Sequence, residues 1–172
     1  MNSGSFSGEY SRICIDHPVA DVALVFCRTA DLLQITAVLL NERHAVADLP
    51  LDKSAEACRH AQEICRFLDG TSRELKLLPL SFVPFTDFQK KVLCAARSIE
   101  WGRTVSYAQL ACMAGHPRAV RAAASVMACN PYPLIIPCHR VVRADGSLGG
   151  FMGKMDGAEV ELKRRLVERE RE

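Results

Sequence analysis

The chain has 172 residues, of which 49% are hydrophobic and 24% are charged, and its formal net charge is +2. That balance is ordinary for a soluble globular chain, and no apolar run approaches the ~20 residues that span a bilayer, which excludes a transmembrane segment. Residues 1–5 contain neither a basic nor an apolar run, so no signal peptide is predicted and the cytoplasm is the expected location.

The chain contains eight cysteines at irregular spacings, and none of them form a C-x-x-C pair. This pattern predicts neither a zinc ribbon nor a disulfide framework, and most of the cysteines are expected to be reduced, small apolar residues. One metal hypothesis stays open, a structural zinc site built from Cys14, Cys27 and a histidine. No other cofactor is expected.

Residues 1–80 are predicted to form an N-terminal unit. Apolar, β-branched runs at 22–28 and 32–40 predict a pair of strands. The helical spacing of apolar residues over 52–68 predicts a helix, for which Asp52 is the expected N-cap.

The segment 75–85 contains two prolines and is predicted to be an extended connector, so the second unit is expected to comprise residues 81–172. Its first helix is predicted over 88–98, capped by Thr86 or Asp87. Phe88, Val92 and Ala95 or Ala96 are expected to face inward.

Two short helices follow, joined by a tight turn. Ser106 is expected to cap a helix over 107–114, Gly115-His116-Pro117 breaks it, and a second helix is predicted over 118–129. Such a pair is the pattern of a helix-turn-helix, although any αα-hairpin shares it.

The second helix of this pair has one apolar face and one basic face with little bulk. A helical projection directs inward Val120, Ala123, Ala124 and Met127. It directs outward Arg118, Arg121, Ser125 and Ala128, with Ala122 at the edge.

Residues 101–144 contain spaced arginines but no Asp or Glu, which favours a nucleic-acid-binding surface over arginines that merely cover solvated helices.

Residues 134–142, Leu-Ile-Ile-Pro-Cys-His-Arg-Val-Val, hold the strongest chemical signal. Free thiols titrate near pH ~8.5, and a neighbouring imidazole is the minimum requirement for an activated cysteine. The apolar run 134–136 is expected to deliver Cys138 to the base of a pocket, with His139 beside it. A buried structural cysteine next to a surface histidine is the alternative.

The last helix is predicted from residue 158 to the end.

The motifs occur in the order Phe88-Gln89-x-x-Val92, Gly102-x-x-x-Ser106-Tyr107, Ala119-x-Arg121, Asn130-Pro131, Ile136-Pro-Cys-His-Arg-Val-Val142 and Gly149-x-Phe151. In this order they resemble the O6-alkylguanine-DNA alkyltransferase family, over roughly residues 61–172. The resemblance implies an α+β fold: a small N-terminal ribonuclease-H-like α/β domain over 1–80 and a helical C-terminal winged helix-turn-helix alkyltransferase domain over 81–172.

The resemblance implies a one-shot DNA repair reaction. The protein, a monomer, would bind double-stranded DNA containing O6-alkylguanine through its minor groove and flip the damaged base out of the stack. The alkyl group would then pass irreversibly to Cys138, without a cofactor.

The resemblance also implies roles for individual residues. His139 would deprotonate Cys138 through a water, and Tyr107 would donate a proton or hydrogen bond to the leaving guanine. Asn130 would brace the turn between the recognition helix and an active-site strand, and Arg121 would fill the gap left by the base. The other implied DNA contacts are Tyr107, Arg118, Ala122, Ser125 and Ala128, and the implied base pocket comprises Met127, Phe151 and the backbone of Val141 and Met152.

A carboxylate should orient the imidazole, and the C-terminal helix offers two candidates. Glu170 lies four residues after Leu166 on the apolar stripe, whereas Glu168 lies about 200° around the helix from that stripe and should face solvent. Glu170 is therefore the predicted partner of His139. Before this helix, Lys154-Met155 stands in place of the family's Gly-Leu, and about five extra residues follow at 156–160.

Three other functions stay open from the residues alone. A non-reacting damage sensor would lack the cysteine, whereas Cys138 is present. A cysteine hydrolase would draw its Cys and His from distant parts of the chain and would leave the arginine-lined helix pair unexplained. A regulator that senses alkylation would need a dimer element, which the sequence does not suggest, so this could only be an additional role.

Overall fold

The computed structural model describes residues 8–30, 32–75 and 77–172. The chain divides into two compact units, Met1–Ser81 and Phe82–Glu172. The predicted α+β class is confirmed, because the first unit contains an antiparallel sheet with a helix and the second is mainly helical. Within the described ranges, no helix is long and apolar enough to cross a membrane.

The sheet of the N-terminal unit has three antiparallel strands in the order β1-β2-β3. They comprise β1 Glu9–Ile15, β2 Val22–Arg28 and β3 Leu33–Leu40. The central strand β2 is buried at every position except its last, as its continuous apolar sequence predicts. The sequence does not predict β1, because Glu-Tyr-Ser-Arg-Ile-Cys-Ile lacks apolar alternation. Its ladder with β2 supplies the backbone hydrogen bonds that stabilise it.

One helix, α1 (Ala55–Leu68), packs in this unit and buries Ile64 and Phe67. Each of these side chains contributes roughly 1.5–3 kcal/mol through burial. The prediction that Asp52 caps the helix is wrong. The cap is Ser54, whose Oγ accepts a hydrogen bond from Ala57 N at 3.2 Å, while Asp52 accepts one from Ser54 N at 2.9 Å and so forms the turn before the helix.

The first half of the segment 75–85 belongs to the N-terminal unit. Ile35 N donates to Pro79 O at 2.8 Å, and Ser81 N donates to Ile35 O at 2.9 Å. Leu80 therefore forms a parallel bridge with Ile35 at the outer edge of β3. This pairing covers a strand edge that would otherwise expose unpaired backbone groups.

The C-terminal unit contains four helices and one pair of two-residue strands. The helices are α2 Asp87–Arg97, α3 Tyr107–Met113, α4 Val120–Ala128 and α5 Ala158–Arg169. The parallel strands are β4 Val105–Ser106 and β5 Val141–Val142. Its most completely buried aliphatic side chains include Leu93, Leu110, Ile136 and Leu166.

Helix beginnings in this unit follow the sequence closely. Thr86 forms a capping box with Gln89, and Ser106 forms one with Gln109, which contributes about 1 kcal/mol at each helix. The predicted start of α4 at residue 118 is wrong by two residues. His116 to Ala119 form a closed turn instead, with Ala119 N donating to His116 O at 2.9 Å.

No strand leads into the Cys-His motif, contrary to the predicted active-site strand. Residues 134–136 are buried but form turns, Leu134 has a φ of 71°, and Cys138–Arg140 is one turn of 3-10 helix. The prolines in this segment, Pro131, Pro133 and Pro137, have no amide N–H to donate to a strand ladder. The predicted last helix is also shorter, since α5 ends at Arg169.

Candidate active site

Cys138 begins the 3-10 turn that follows the proline-rich segment, and Asn130 holds that segment closed. The Asn130 amide donates to Ile136 O at 2.9 Å and accepts from Tyr132 N at 3.0 Å. The backbone of Cys138 donates to Ile136 O at 2.7 Å. Asn130 therefore braces the loop that connects α4 to Cys138. The sequence predicted a bracing role at this point of the chain, but the loop leads into a 3-10 turn and not into a strand.

The Cys138 thiol is 4% exposed. Burial raises the pKa of Cys138, while a side-chain hydrogen bond from Asn130 and the positive charge of Lys163 oppose that rise. The resting group is thus a thiol at neutral pH, and the surrounding donors are arranged to favour the thiolate once a proton is removed.

His139, Arg140 and Glu170 form a buried network behind Cys138. His139 Nε2 lies 2.8 Å from Glu170 Oε1. Arg140 binds the same carboxylate through two nitrogens, Nε to Oε2 at 2.8 Å and Nη2 to Oε1 at 2.9 Å. Arg140 Nη1 also donates to Ile99 O at 2.6 Å, so the guanidinium fastens the C-terminal end of α5 to the segment after α2.

Gly102 allows the C-terminal end of α5 to lie close to the segment after α2. It has a φ of 73°, and a Cβ there would lie 2.8 Å from the carbonyl oxygen of Glu170. Gly102 N also donates to Glu170 Oε2 at 3.4 Å. The ring of Trp101 beside it forms cation–π contacts with Arg140 and Arg169, whose guanidinium carbons lie 5.8 Å and 5.6 Å from the ring centre.

The protonation states of this network follow from its charges. Burial alone would raise the pKa of Glu170, but hydrogen bonds from His139 and Arg140 lower it to about 2. Burial lowers the pKa of His139, helped by the charges of Arg140 and Lys163 and opposed by Glu170. A neutral His139 that donates Nε2–H to Glu170 keeps a lone pair on Nδ1. Nδ1 is buried and has no hydrogen-bond partner among the described residues.

Lys163 is a buried cation to which the sequence patterns assign no role. Its Nζ donates to Val141 O at 2.7 Å and to Gly150 O at 3.2 Å. Burial lowers its pKa to about 8, against the effect of Cys138. The available signal was its spacing: Lys163 lies three residues before Leu166 and four before Val167, on the buried stripe of α5.

A pocket of about 320 Å³ opens in front of Cys138. Its lining includes the predicted residues Tyr107, Met127, Phe151 and Met152, together with Ser125, Ala128 and Met155. Burial raises the pKa of Tyr107, so its hydroxyl is protonated and able to donate. Val141 is placed differently from the prediction. It is fully buried outside the pocket lining, and its carbonyl is occupied by Lys163.

The predicted DNA-contacting face is exposed. It comprises Arg118, Arg121, Ala122, Ser125 and Ala128. Of the four residues that the helical projection directs inward, Ala123 and Met127 are buried, whereas Val120 and Ala124 are half-buried and Ala124 lines the pocket. The arginines of residues 101–144 are not all available to DNA, however. Arg140 is only 5% exposed and forms an ion pair with Glu170.

Cys14 and Cys27 do not share a metal site. They lie on adjacent strands, but Cys14 pairs with Ala23 and Cys27 pairs with Tyr10. Four residues of strand separate them, about 13 Å, whereas two thiolates on one zinc each lie about 2.3 Å from it. The described parts of the chain contain no cluster of three or more His, Cys, Asp and Glu side chains that could hold a metal ion.

Fold and site together define a class of protein: a helix-turn-helix unit that presents an exposed helix, with Arg118 and Arg121 at its beginning, beside a pocket with a cysteine at its base. Residues 87–172 match the sequence model described as 6-O-methylguanine DNA methyltransferase, DNA binding domain. The methylated-DNA–protein-cysteine methyltransferase of Methanothermobacter thermautotrophicus is 36% identical over 156 residues, which cover 90% of this chain and 81% of that protein. The chain belongs to the O6-methylguanine-DNA methyltransferase family.

Other relatives agree with this assignment. The bifunctional transcriptional activator/DNA repair enzyme Ada of Escherichia coli is 36% identical over 99% of this chain, which spans 50% of Ada. The crystal structure of Mycobacterium tuberculosis O6-methylguanine methyltransferase has a TM-score of 0.77 and 28% identity, covering 94% of this chain and 93% of that one. Its complex with DNA has a TM-score of 0.75 and 29% identity, covering 95% and 92%.

Proposed function

We propose that this chain repairs O6-alkylguanine in double-stranded DNA by transferring the alkyl group to Cys138 in a single, irreversible step. The observation that carries the proposal is the position of Cys138, at the base of a pocket and next in sequence to a histidine that a buried carboxylate holds. The flipped guanine would enter this pocket, because O6 is inaccessible to a nucleophile inside the stack.

The proposed chemistry begins at His139. Nδ1 takes the proton of Cys138 through a water, and Glu170 stabilises the imidazolium that forms, as in other arrangements of nucleophile, base and orienting group. Lys163 stabilises the thiolate through its charge. Glu170, the negative partner of the imidazolium, and Lys163, the positive neighbour of the thiolate, are both in place before the proton moves, so little reorganisation is required.

The transfer itself needs no cofactor, because the alkyl carbon is the electrophile and the guanine is the leaving group. The sulfur of Cys138 attacks the alkyl carbon, a sulfur–carbon bond forms and the carbon–O6 bond breaks. The electron pair of that bond remains on the guanine, and Tyr107 donates a proton or hydrogen bond to it. The product thioether has no leaving group for a second turnover, so each molecule acts once.

DNA binding is assigned to α4 and the turn before it. Arg118 would contact phosphate, Arg121 would enter the stack, and the small residues Ala122 and Ala128 would allow close approach to the minor groove. Affinity should be largely independent of sequence and should fall as salt rises, because phosphate contacts release counterions. We further propose a monomer with two domains, located in the cytoplasm and associated with the nucleoid or nucleus through DNA.

Intact-protein mass spectrometry with peptide mapping tests the proposal, after incubation with excess duplex carrying one O6-methylguanine. We expect one added methyl group on Cys138, saturating at one per protein. An unmodified protein that binds the lesion tightly would instead indicate a damage sensor. Failure to bind the lesion would contradict the proposal altogether.

Lys163→Met should lower the rate of methyl transfer at pH 7 by about tenfold, because one nearby positive charge is lost from the thiolate. Lys163 is protonated below its pKa of about 8 and loses its charge above it. The difference in rate between wild type and variant should therefore narrow as pH rises through 8. Single-turnover rates from pH 6.5 to 9.5 measure this, and a difference independent of pH would contradict it.

Arg121→Ala should weaken repair more than simple DNA binding, since Arg121 is proposed to fill the gap left by the flipped base. We expect about a tenfold lower transfer rate with saturating duplex, consistent with the few kcal/mol that flipping costs. Arg118→Ala is the matched control and should reduce affinity for damaged and undamaged DNA alike. Single-turnover kinetics and fluorescence anisotropy separate the two effects. Equal losses of repair and binding for Arg121→Ala would refute its role.

A further inference from the structure

The outer wall of the Cys138 pocket is formed by a tight turn and the residue after it. Phe151 N donates to Lys154 O at 2.8 Å, and Lys154 N donates to Phe151 O at 2.9 Å. The two central residues have positive φ angles, 49° at Met152 and 76° at Gly153, which is the geometry of a type I′ turn. This closed turn projects Met155 onto the pocket.

Met155 lies against Gly150 at the open side of the pocket. A Cβ on Gly150 would meet Met155 Sδ at 2.9 Å and Lys154 O at 2.5 Å, so a glycine is needed for the two segments to approach. Met155 lines the pocket but is 67% exposed, whereas Phe151 is 3% exposed and Met127 is 3% exposed. Among these three apolar wall residues, only Met155 has substantial apolar surface left for a ligand to cover.

The chemistry of the transfer directs a large alkyl group toward this wall. The attacked carbon must lie between the Cys138 sulfur and O6, so the rest of a longer group can extend only sideways along the pocket. A methyl group ends next to the sulfur, at the buried base. The pocket volume of about 320 Å³ lies within the range that holds drug-sized ligands.

We infer that Met155 determines the range of alkyl groups accepted, by contacting the distal part of groups larger than methyl. This inference rests on the proposed transfer to Cys138. An unbranched thioether side chain adapts its shape to different apolar surfaces, so Met155 suits benzyl or long alkyl substituents of varied shape. A methyl group ends next to the sulfur, so any contact between Met155 and the guanine itself should affect the methyl and benzyl substrates alike.

The test compares two substrates in one DNA context, the same duplex carrying either O6-methylguanine or O6-benzylguanine. Single-turnover rate constants are measured for wild type, Met155→Ala and Met155→Leu. Met155→Ala should lower the benzyl rate about tenfold more than it lowers the methyl rate, because a small apolar contact in a specificity pocket has about this effect. Met155→Leu should retain most of the benzyl rate. Met113→Ala is the control, an exposed methionine on α3 that does not line the pocket.

The benzyl-to-methyl ratio decides the inference. A ratio that Met155→Ala leaves unchanged or raises overturns it, as does an equal loss with Met113→Ala. Absence of methyl transfer in the wild-type protein would overturn the proposed function instead, and the methyl substrate therefore distinguishes the two failures.

Discussion

Cys138→Ser is expected to abolish alkyl transfer while leaving DNA binding intact. A serine hydroxyl has the same shape but a far higher pKa than a thiol, so His139 and Lys163 cannot generate its anion. Loss of a nucleophile that works as a unit with its base lowers rates by factors on the order of 10⁴ to 10⁶. Mass spectrometry should find no methyl group on the variant after incubation times that saturate the wild-type protein.

Cys129→Ser is the matched control for this experiment. Cys129 is an exposed cysteine immediately after α4 and lies outside the pocket lining. Its substitution should leave both the extent and the rate of methyl transfer unchanged. Methylation of Cys138→Ser at any other cysteine, at a rate near that of the wild-type protein, would show that the acceptor has been assigned to the wrong residue.

Glu170→Gln is expected to damage both stability and reaction rate. The substitution keeps the side-chain shape but removes the charge that pairs with Arg140 and that accepts the hydrogen bond from His139 in the interior. Breaking one side of a buried ion pair costs about 3–5 kcal/mol in the free energy of unfolding, because the partner charge stays buried. The transfer rate should fall by a factor on the order of 10³, since His139 loses the group that stabilises its protonated form.

The pH dependence of this stability loss has a definite sign. The folded-state pKa of Glu170 is lowered from 4.5 to about 2, so the carboxylate stabilises the fold at pH values above about 4.5. That contribution disappears as pH falls toward 2. Urea titrations of wild type and Glu170→Gln should therefore differ most near neutral pH and converge in acid.

Glu168→Gln provides the control, two residues earlier and exposed to solvent. It should change the free energy of unfolding by less than about 0.5 kcal/mol and leave the transfer rate unaltered. If both glutamine variants behave alike, Glu170 does not hold His139 in solution. If Glu170→Gln unfolds the chain, the rate can be measured at low temperature, where the folded population is sufficient for single-turnover kinetics.

Much of the fold was accessible from local patterns. Capping residues such as Thr86 and Ser106 marked helix starts within one residue, because the side chain that caps a helix is a local property of the sequence. Strand β1 was missed for the opposite reason. The ladder of β1 with β2 pairs residues that lie far apart in the sequence. The Ser54 cap, by contrast, is local, and it was missed because Asp52 is an equally suitable capping residue that forms the preceding turn instead.

The sequence by itself predicted Cys138 as the nucleophile and His139 as its base, and it predicted Glu170 rather than Glu168 as the residue that contacts His139. These follow from residue types in a short motif and from helical periodicity, both of which are local. Only the tertiary structure decided the roles of Arg140 and Lys163. Each is a cation whose hydrogen-bond partners lie far away in the sequence. Arg140 donates to Glu170 and to the carbonyl of Ile99, and Lys163 donates to the carbonyl of Val141. The spacing of Lys163 on α5 indicates that it is buried, but no spacing in the sequence identifies the groups that fold around a buried charge.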